Sequence, residues 1–406
     1  MPGRDLRLSI DAALQQVGER ALQNGIGLAQ AHGNPADAGA FVAMDTRNGE
    51  ILALGSAPSF DPNVFTRPMS QRTYDERYGE RAGSPLFDRA VEGAYAIGST
   101  FKVVTAAAGL ATGATTVERV YNDTGAWSSG AQVRRNAGNA VFGPVSLVWA
   151  LAVSVDTYFY DLGERLNADP VRHPRGGELQ AWARRFGFGA PTGIDLPNEQ
   201  QGVVPDPRRG PELWKAELRC RRERHLDNCH IALPEHDWTV GDNVSLAIGQ
   251  GDFAASPLQL ATAYAAIANG GTVVRPHVGL AVLGDKGRIA DRITPRPARR
   301  IEILGLQAIR DGLLGATAMR DGTAYDVFAG FGRQVYGKTG TVQMDGRPDQ
   351  SWFVAYVEDP QRPIVVAAVI EDGGFGAEAA APAVRQILSQ WIYGRPGRAV
   401  SGTKGN

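Results

Sequence analysis

The sequence predicts a mixed architecture, α/β plus all-α: an antiparallel sheet flanked by helices, with a mostly helical subdomain inserted into it. Three observations predict this. Short apolar runs at 38–44 and 50–54 lie either side of Asn48-Gly49, a strong short-range hairpin signal. A second pair of apolar runs, at 351–357 and 364–370, flanks Asp359-Pro360 near the other end of the chain. Between the two pairs lie helical patterns separated by Gly, Pro and Asn turns. Strand pairs at both ends with helices between them suggest one sheet assembled from distant parts of the chain.

In order along the chain, residues 6–31 carry a helical pattern. Leu8, Ile10, Ala13, Leu14, Val17 and Leu22 recur on one face, and Ser9 is a weak cap. The spacing predicts further helices over 101–110, 144–166, 178–186 and 257–269, and a final one over 377–391. Residues 198–243 are rich in Pro and Arg with little periodicity, which predicts a long loop such as a lid or binding loop. The expected division is a discontinuous sheet subdomain at 1–98 and 245–395, a mainly helical one at 99–244, and a flexible tail at 396–406.

Composition excludes several classes of function. The 406 residues balance 42 basic against 43 acidic groups, a formal net charge of −1. Nucleic-acid or polybasic membrane-surface binding would need a positive excess. A 43% apolar fraction is that of a globular chain. No run approaches the ~18 apolar residues needed to span a bilayer, and no apolar segment follows Met1 as in a signal peptide. One bias stands out. Only five of the basic residues are lysines: Lys102, Lys215, Lys286, Lys338 and Lys404. Arginine cannot lose a proton at working pH, so these five form a search list for amine chemistry, although codon bias also explains such scarcity.

Lys102 closes Ser99-Thr-Phe-Lys102 at an expected helix start, and residues three apart on a helix share a face. Gly98 gives the backbone room to turn. A helix N-terminus offers N–H groups to an oxyanion forming at Ser99. A serine hydroxyl is a poor nucleophile until a base takes its proton, and a lysine whose pKa is lowered by burial can be that base. A match of this kind is expected about once by chance in a chain this long. Ser401-Gly-Thr-Lys404 matches too, but in a Gly-rich tail with no helix to align it.

Lys338 opens Lys338-Thr-Gly-Thr341, a rarer pattern, just before the strand at 351. A strand edge bearing a cation, two hydroxyls (Thr339, Thr341) and Gly340 suits an extended peptide that ends in carboxylate. The bland alternative is a Gly-containing turn before a strand. A phosphate-binding loop would need an earlier Gly at fixed offset and a following helix, and a strand follows instead. The third element is Ser154-Val-Asp156, at a break before a helix. Its hydroxyl can relay a proton between lysines and a leaving amine. Alternatively, Ser154 and Asp156 simply cap a helix starting at Thr157.

The order Ser99-Thr-Phe-Lys102, Ser154-Val-Asp156, Lys338-Thr-Gly-Thr341 resembles the active-site set of penicillin-binding proteins and serine β-lactamases. Asp88-Arg-Ala-Val-Glu-Gly-Ala-Tyr, Asn243-Val-Ser-Leu-Ala-Ile-Gly-Gln-Gly251, the run from Pro257 to Gly271 and Ala380-Ala-Ala-Pro382 resemble class B penicillin-binding proteins. The likeness covers nearly all of residues 5–393. It implies the transpeptidase fold of that family and a peptidoglycan D,D-transpeptidase that is covalently inhibited by β-lactams. It implies Ser99 as acylated nucleophile, Lys102 as general base, Ser154 as proton relay, and Lys338 as a cation that sets the field and binds carboxylate. Thr339, Gly340 and Thr341 would form the substrate edge. The backbone N–H groups of Ser99 and Thr341 would form the oxyanion hole. Asp156 stands where most of the family has Asn; with the Asp195-Leu-Pro-Asn-Glu199 segment it resembles the elongation-type members. An anion beside Lys102 raises that amine's pKa and opposes a base role unless burial offsets it.

The resemblance further implies no cofactor and no metal. Implied partners are stem peptides, β-lactams, a membrane glycosyltransferase, and elongation or division proteins, with no nucleic acid. The implied location is extracytoplasmic. The family's membrane anchor and pedestal domain have no counterpart in this sequence, so the chain reads as the catalytic domain alone. A D,D-carboxypeptidase, a β-lactamase, or a non-catalytic β-lactam sensor or scaffold are the competing functions. Cys220 and Cys229 lie in an Arg-rich stretch. In an oxidising compartment a disulfide is expected there; a zinc site with His225 and His230, or two free thiols, are the alternatives.

Overall fold

The computed structural model describes residues 3–130, 132–232, 237–295, 297–344 and 346–402. Its main sheet has five strands: β1 (Gly39–Met44), β2 (Ile51–Ala57), β3 (Tyr336–Met344), β4 (Arg347–Val357) and β5 (Ile364–Ile370). Their order is β3–β4–β5–β1–β2, antiparallel throughout, so the two predicted hairpins meet at the β5–β1 pair. Asn48-Gly49 turns the first hairpin, with Gly49 at φ 85° and its N–H donating to the Asp45 carbonyl. In the second turn, Asp359 Oδ1 accepts from the N–H groups of Gln361 and Arg362.

Both faces of the sheet are buried, which is why 364–370 reads as an unbroken apolar run. Alternation along the strands sorts the core in two. Phe41, Ala43, Phe353, Ala355, Val366 and Ala368 pack with helix α1 (Ala12–Ala31) and the C-terminal helix Ala380–Tyr393. Val42, Met44, Trp352, Val354, Val365 and Ala367 face the helices of the chain's middle. Nearest among those is the almost wholly buried helix Pro257–Ala268, capped at Ser256 by a reciprocal bond pair with Gln259. Trp352 alone, with no exposed area, contributes roughly 2–3 kcal/mol of apolar burial.

Three readings need correction. The helix expected over 6–31 is a strand, Asp5–Leu8, followed by α1, whose cap is Asp11 and not Ser9. Leu6-Arg-Leu8 alternates with period two, and both leucines are exposed on that short strand. The helix expected over 144–166 is broken. Residues Gly143–Val145 pair as a strand, then come α2 (Leu147–Ala152) and α3 (Asp156–Arg165), separated by a turn at Ser154. Pro144 has no N–H to give a helix, and Ser146 caps α2. The loop expected over 198–243 contains the 16-residue helix α4 (Arg209–Arg224) and the start of Val240–Ala247. Only Glu217 of α4 is buried, so there was no apolar stripe for periodicity to find.

The helices expected at 101–110, 178–186 and 257–269 stand at Lys102–Thr112, Glu178–Arg185 and Pro257–Ala268. Two small antiparallel pairs, Tyr121–Asp123 with Gly143–Val145 and Ala126–Ser129 with Gln132–Arg135, add strand content to 99–244. In the tail, 396–402 forms no helix or strand, yet the Ser401 hydroxyl donates to the Glu378 carbonyl, so this part is tied down. Lys404 lies outside the described residues.

Candidate active site

Ser99 sits in a single 3-10 turn, Gly98–Phe101, that runs directly into the helix beginning at Lys102. Positions three apart eclipse in such a turn, so Ser99 and Lys102 share one side. The turn is pinned from three directions. Gly98 N–H donates to the Gly249 carbonyl at 3.0 Å, the Thr100 hydroxyl donates to Ile97 O at 2.7 Å, and the Tyr264 hydroxyl donates to Thr100 O at 2.9 Å. Gly98 has φ 55°, and a Cβ there would lie 2.5 Å from the Thr341 carbonyl oxygen. The turn therefore lies directly against the β3 edge, a contact only glycine allows.

Lys102 is fully buried. Its Nζ donates to Asp156 Oδ1 at 2.7 Å, to the Ser154 carbonyl at 2.8 Å and to Ser154 Oγ at 3.1 Å, and lies 5.3 Å from the centre of the Phe159 ring. Burial pushes the amine's pKa below the usual lysine range, while the Asp156 charge and hydrogen bond pull it back up. Desolvation wins.

Ser154 is held at φ 63° between α2 and α3, in the left-handed region that a serine adopts only when its surroundings impose it. Asp156 is the first residue of α3; its Oδ2 accepts from Ala137 N–H. Neither residue caps α3 through its side chain, so the capping alternative does not describe this turn. Behind it lies a network the sequence did not announce. The buried Asp123 carboxylate accepts from the Thr157 hydroxyl at 2.6 Å, Phe142 N–H at 2.7 Å, Gly125 N–H at 2.9 Å, and Asn136 Nδ2. Asn136 Oδ1 in turn accepts from Thr157 N–H. One carboxylate thus ties the start of α3 to the 136–139 turn.

Lys338 lies on β3, the edge strand of the sheet, and is completely buried, with Nζ donating to the Thr339 carbonyl at 3.2 Å. Its pKa is pushed well down, first by burial and then by repulsion from Lys102, with Asp156 opposing. It does not line the cleft, which counts against direct carboxylate binding. Thr339 needs a correction too. Its side chain lies on the face opposite Lys338, deeper along the strand than Thr341, where it is buried and its hydroxyl donates to Thr323. Thr341 does line the cleft. Gly340 has no side chain to place there, and a Cβ on it would lie 2.7 Å from Ile97 O.

The cleft over Ser99 has a volume of about 570 Å³. Ser99 and Asp156 line it; one wall is Thr341, Gln343, Asp349 and Phe375, and the other includes Arg134, Arg135 and the 136–139 turn. Gln250 and Gly251 also line the cleft. The 134–139 residues and Asp349 carry no spacing signal, because they lie on two separate chain segments that only folding brings to one cleft. Cys220 and Cys229 are joined by a disulfide at the end of α4, away from these residues. Among the described residues no group of His, Cys, Asp and Glu is arranged to hold a metal ion, and no helix is long and apolar enough to cross a membrane.

Residues 39–389 match the penicillin-binding protein transpeptidase domain. The peptidoglycan D,D-transpeptidase MrdA of Acinetobacter baumannii is 32% identical over 97% of this chain and 54% of its own length. The chain therefore spans about half of that relative. A peptidoglycan synthase complex that coordinates polymerization and crosslinking contains a chain 32% identical, with TM-score 0.80 over 96% of this chain and 63% of that one. The penicillin-binding protein PBP2 of Helicobacter pylori, solved with MreC, is 27% identical, with TM-score 0.75 over 96% of this chain and 64% of that one. With the family domain matched from the first strand of the main sheet to its C-terminal helix, the chain belongs to the penicillin-binding protein transpeptidase family.

Proposed function

We propose that this chain is a peptidoglycan D,D-transpeptidase of the wall-elongation type, acting through an acyl-enzyme on Ser99. The observation that carries the reading is the buried amine of Lys102, bonded to Ser154 Oγ and sharing a side with Ser99, which opens to the cleft. In the first half-reaction, Ser99 Oγ bonds to the carbonyl carbon of the penultimate D-Ala and its proton passes to neutral Lys102. The C–N bond then breaks, and the departing D-Ala nitrogen takes that proton through Ser154. In the second half-reaction, an amine of a neighbouring stem peptide attacks the ester. Its proton returns along the same path, restoring the Ser99 hydroxyl and leaving a crosslink.

The N–H groups of Ser99 and Thr341 would stabilise the oxyanion, an arrangement supported by how closely Gly98 packs on Thr341. Thr341 serves as the carboxylate hydroxyl, and Lys338 is a buried amine whose charge, when it carries one, acts on Lys102 through space. β-Lactams would trap the first ester. A sheet subdomain (1–98 and 245–395) and a helical one (99–244) would meet at this cleft. By analogy with the two complexes, a polymerising glycosyltransferase and MreC-like elongation proteins are the partners, outside the cytoplasm at a membrane.

Incubation with a fluorescent penicillin followed by peptide mapping tests this. Stable label on Ser99 is expected. No label would favour the non-catalytic sensor, and rapid release would favour a β-lactamase.

A further inference from the structure

Residues Tyr336–Gly340 of β3 are buried, while Thr341 and Gln343 line the cleft. An extended peptide that pairs with the β3 edge and places its C-terminal carboxylate at Thr341 therefore runs past Gln343. Asp349, on the neighbouring strand β4, lines the cleft at that exit. The segment holding it is fixed: its backbone carbonyl accepts from Gly374 N–H at 2.9 Å, and its carboxylate accepts from Met344 N–H. Among the described residues no cation pairs with this carboxylate; Arg347 two residues away is turned to Asp372. The cations of the cleft, Arg134 and Arg135, belong to the other wall. Arg134 is also committed, to Ser245 Oγ and the Gly241 carbonyl.

The proposed reaction says what passes Asp349. When like chains crosslink to one another, each must carry both an acyl-donor terminus and an amine. An uncrosslinked donor therefore brings its own side-chain ammonium into the cleft, upstream of the bond that breaks. We propose that Asp349 binds this side-chain ammonium of the donor peptide and so selects donors whose amine is still free. The pairing would anchor the strand along β3. It would also keep that amine protonated, and a protonated amine cannot attack the ester formed by its own chain. Burial raises the Asp349 pKa, and an ammonium partner would offset that rise.

This inference rests on the transpeptidase reading, and its test separates the two. D-Ala release would be followed for a pentapeptide bearing a diamino acid at its third position and for the same peptide acetylated on that amine. Wild-type enzyme should favour the free amine about tenfold in kcat/KM, the scale of a charge-assisted hydrogen bond. Asp349→Asn keeps an acceptor for Met344 N–H and removes the charge, so the preference should collapse to about one. Equal handling of the two peptides by the wild type overturns the inference even if the variant folds poorly. So does a preference that survives in Asp349→Asn. Absence of penicillin label on Ser99 would instead overturn the transpeptidase reading itself.

Discussion

Lys102 Nζ and Asp156 Oδ1 lie 2.7 Å apart, the lysine wholly buried and the aspartate open to the cleft on one side. A carboxylate that close favours the ammonium, yet burial of the amine outweighs it. Asn at 156 would leave the hydrogen bond and take away the charge.

Asp156→Asn should therefore lower the Lys102 pKa further. Acylation needs the neutral amine, so its rate falls as pH drops through that pKa. Without the carboxylate the falling limb moves to lower pH, and acylation at neutral pH is maintained or increased. The second-order rate constant of penicillin acylation, measured across pH, checks this. A limb displaced upward, or lost acylation, would show that the charge is required.

Gly98→Ala should disable the site from outside the chemistry. Its Cβ would meet the Thr341 carbonyl oxygen at 2.5 Å, and φ 55° is unfavourable for alanine. Strain and clash together should cost on the order of 3 kcal/mol, and relief by movement would part the Ser99 turn from β3. Denaturant unfolding and penicillin labelling should fall together. Retained stability with full labelling would contradict the tight contact.

The sequence carried the chemistry further than it carried the shape. Ser99 and Lys102 were legible as a pair because three positions at a helix start share a side, whereas Ser154 and Asp156 lie more than fifty positions away and were tied to them only through the family resemblance, since folding alone brings them to the Lys102 amine. Lys338 and Thr341 were legible as a rare pattern, but Thr339 was misplaced because it lies deeper along the strand than Thr341, buried with its hydroxyl on Thr323. The α4 helix escaped notice for a different reason: it is held by one carboxylate and a disulfide instead of an apolar stripe. Asp123 was invisible, because its partners come from 125, 136, 142 and 157 and only folding brings them together.

Asp123→Asn should destabilise the 136–139 turn. Both carboxylate oxygens accept from N–H or O–H groups, so the amide's NH₂ faces a donor in either orientation. The expected cost is about 2–3 kcal/mol, against about 1 kcal/mol for Thr157→Val, which removes a single bond. Acylation should drop as well, since Ala137 N–H holds Asp156 from that turn. Denaturant unfolding of the two variants gives the comparison. Equal and small costs would mean that solvent replaces these bonds.

Glu217 should make the α4 segment acid-sensitive while the Cys220–Cys229 disulfide limits how far it opens. Its carboxylate accepts from Cys229 N–H at 2.8 Å, Arg221 Nε at 2.5 Å and Ile231 N–H at 2.8 Å, and these hold its pKa down to about 2, the Cys229 bond contributing most. A carboxyl depressed below its usual value near 4.5 contributes stability that is complete above that value and lost as pH falls toward 2. Hydrogen exchange in 209–232 should therefore quicken between pH 4.5 and 2, compared with other helices at the same pH. Glu217→Gln should remove that pH dependence. Reduction should quicken exchange at every pH, because the crosslink spans only nine positions and a loop that small is still worth about 2–3 kcal/mol of chain entropy. Exchange that ignores pH in the wild type would show that Glu217 does not hold this segment.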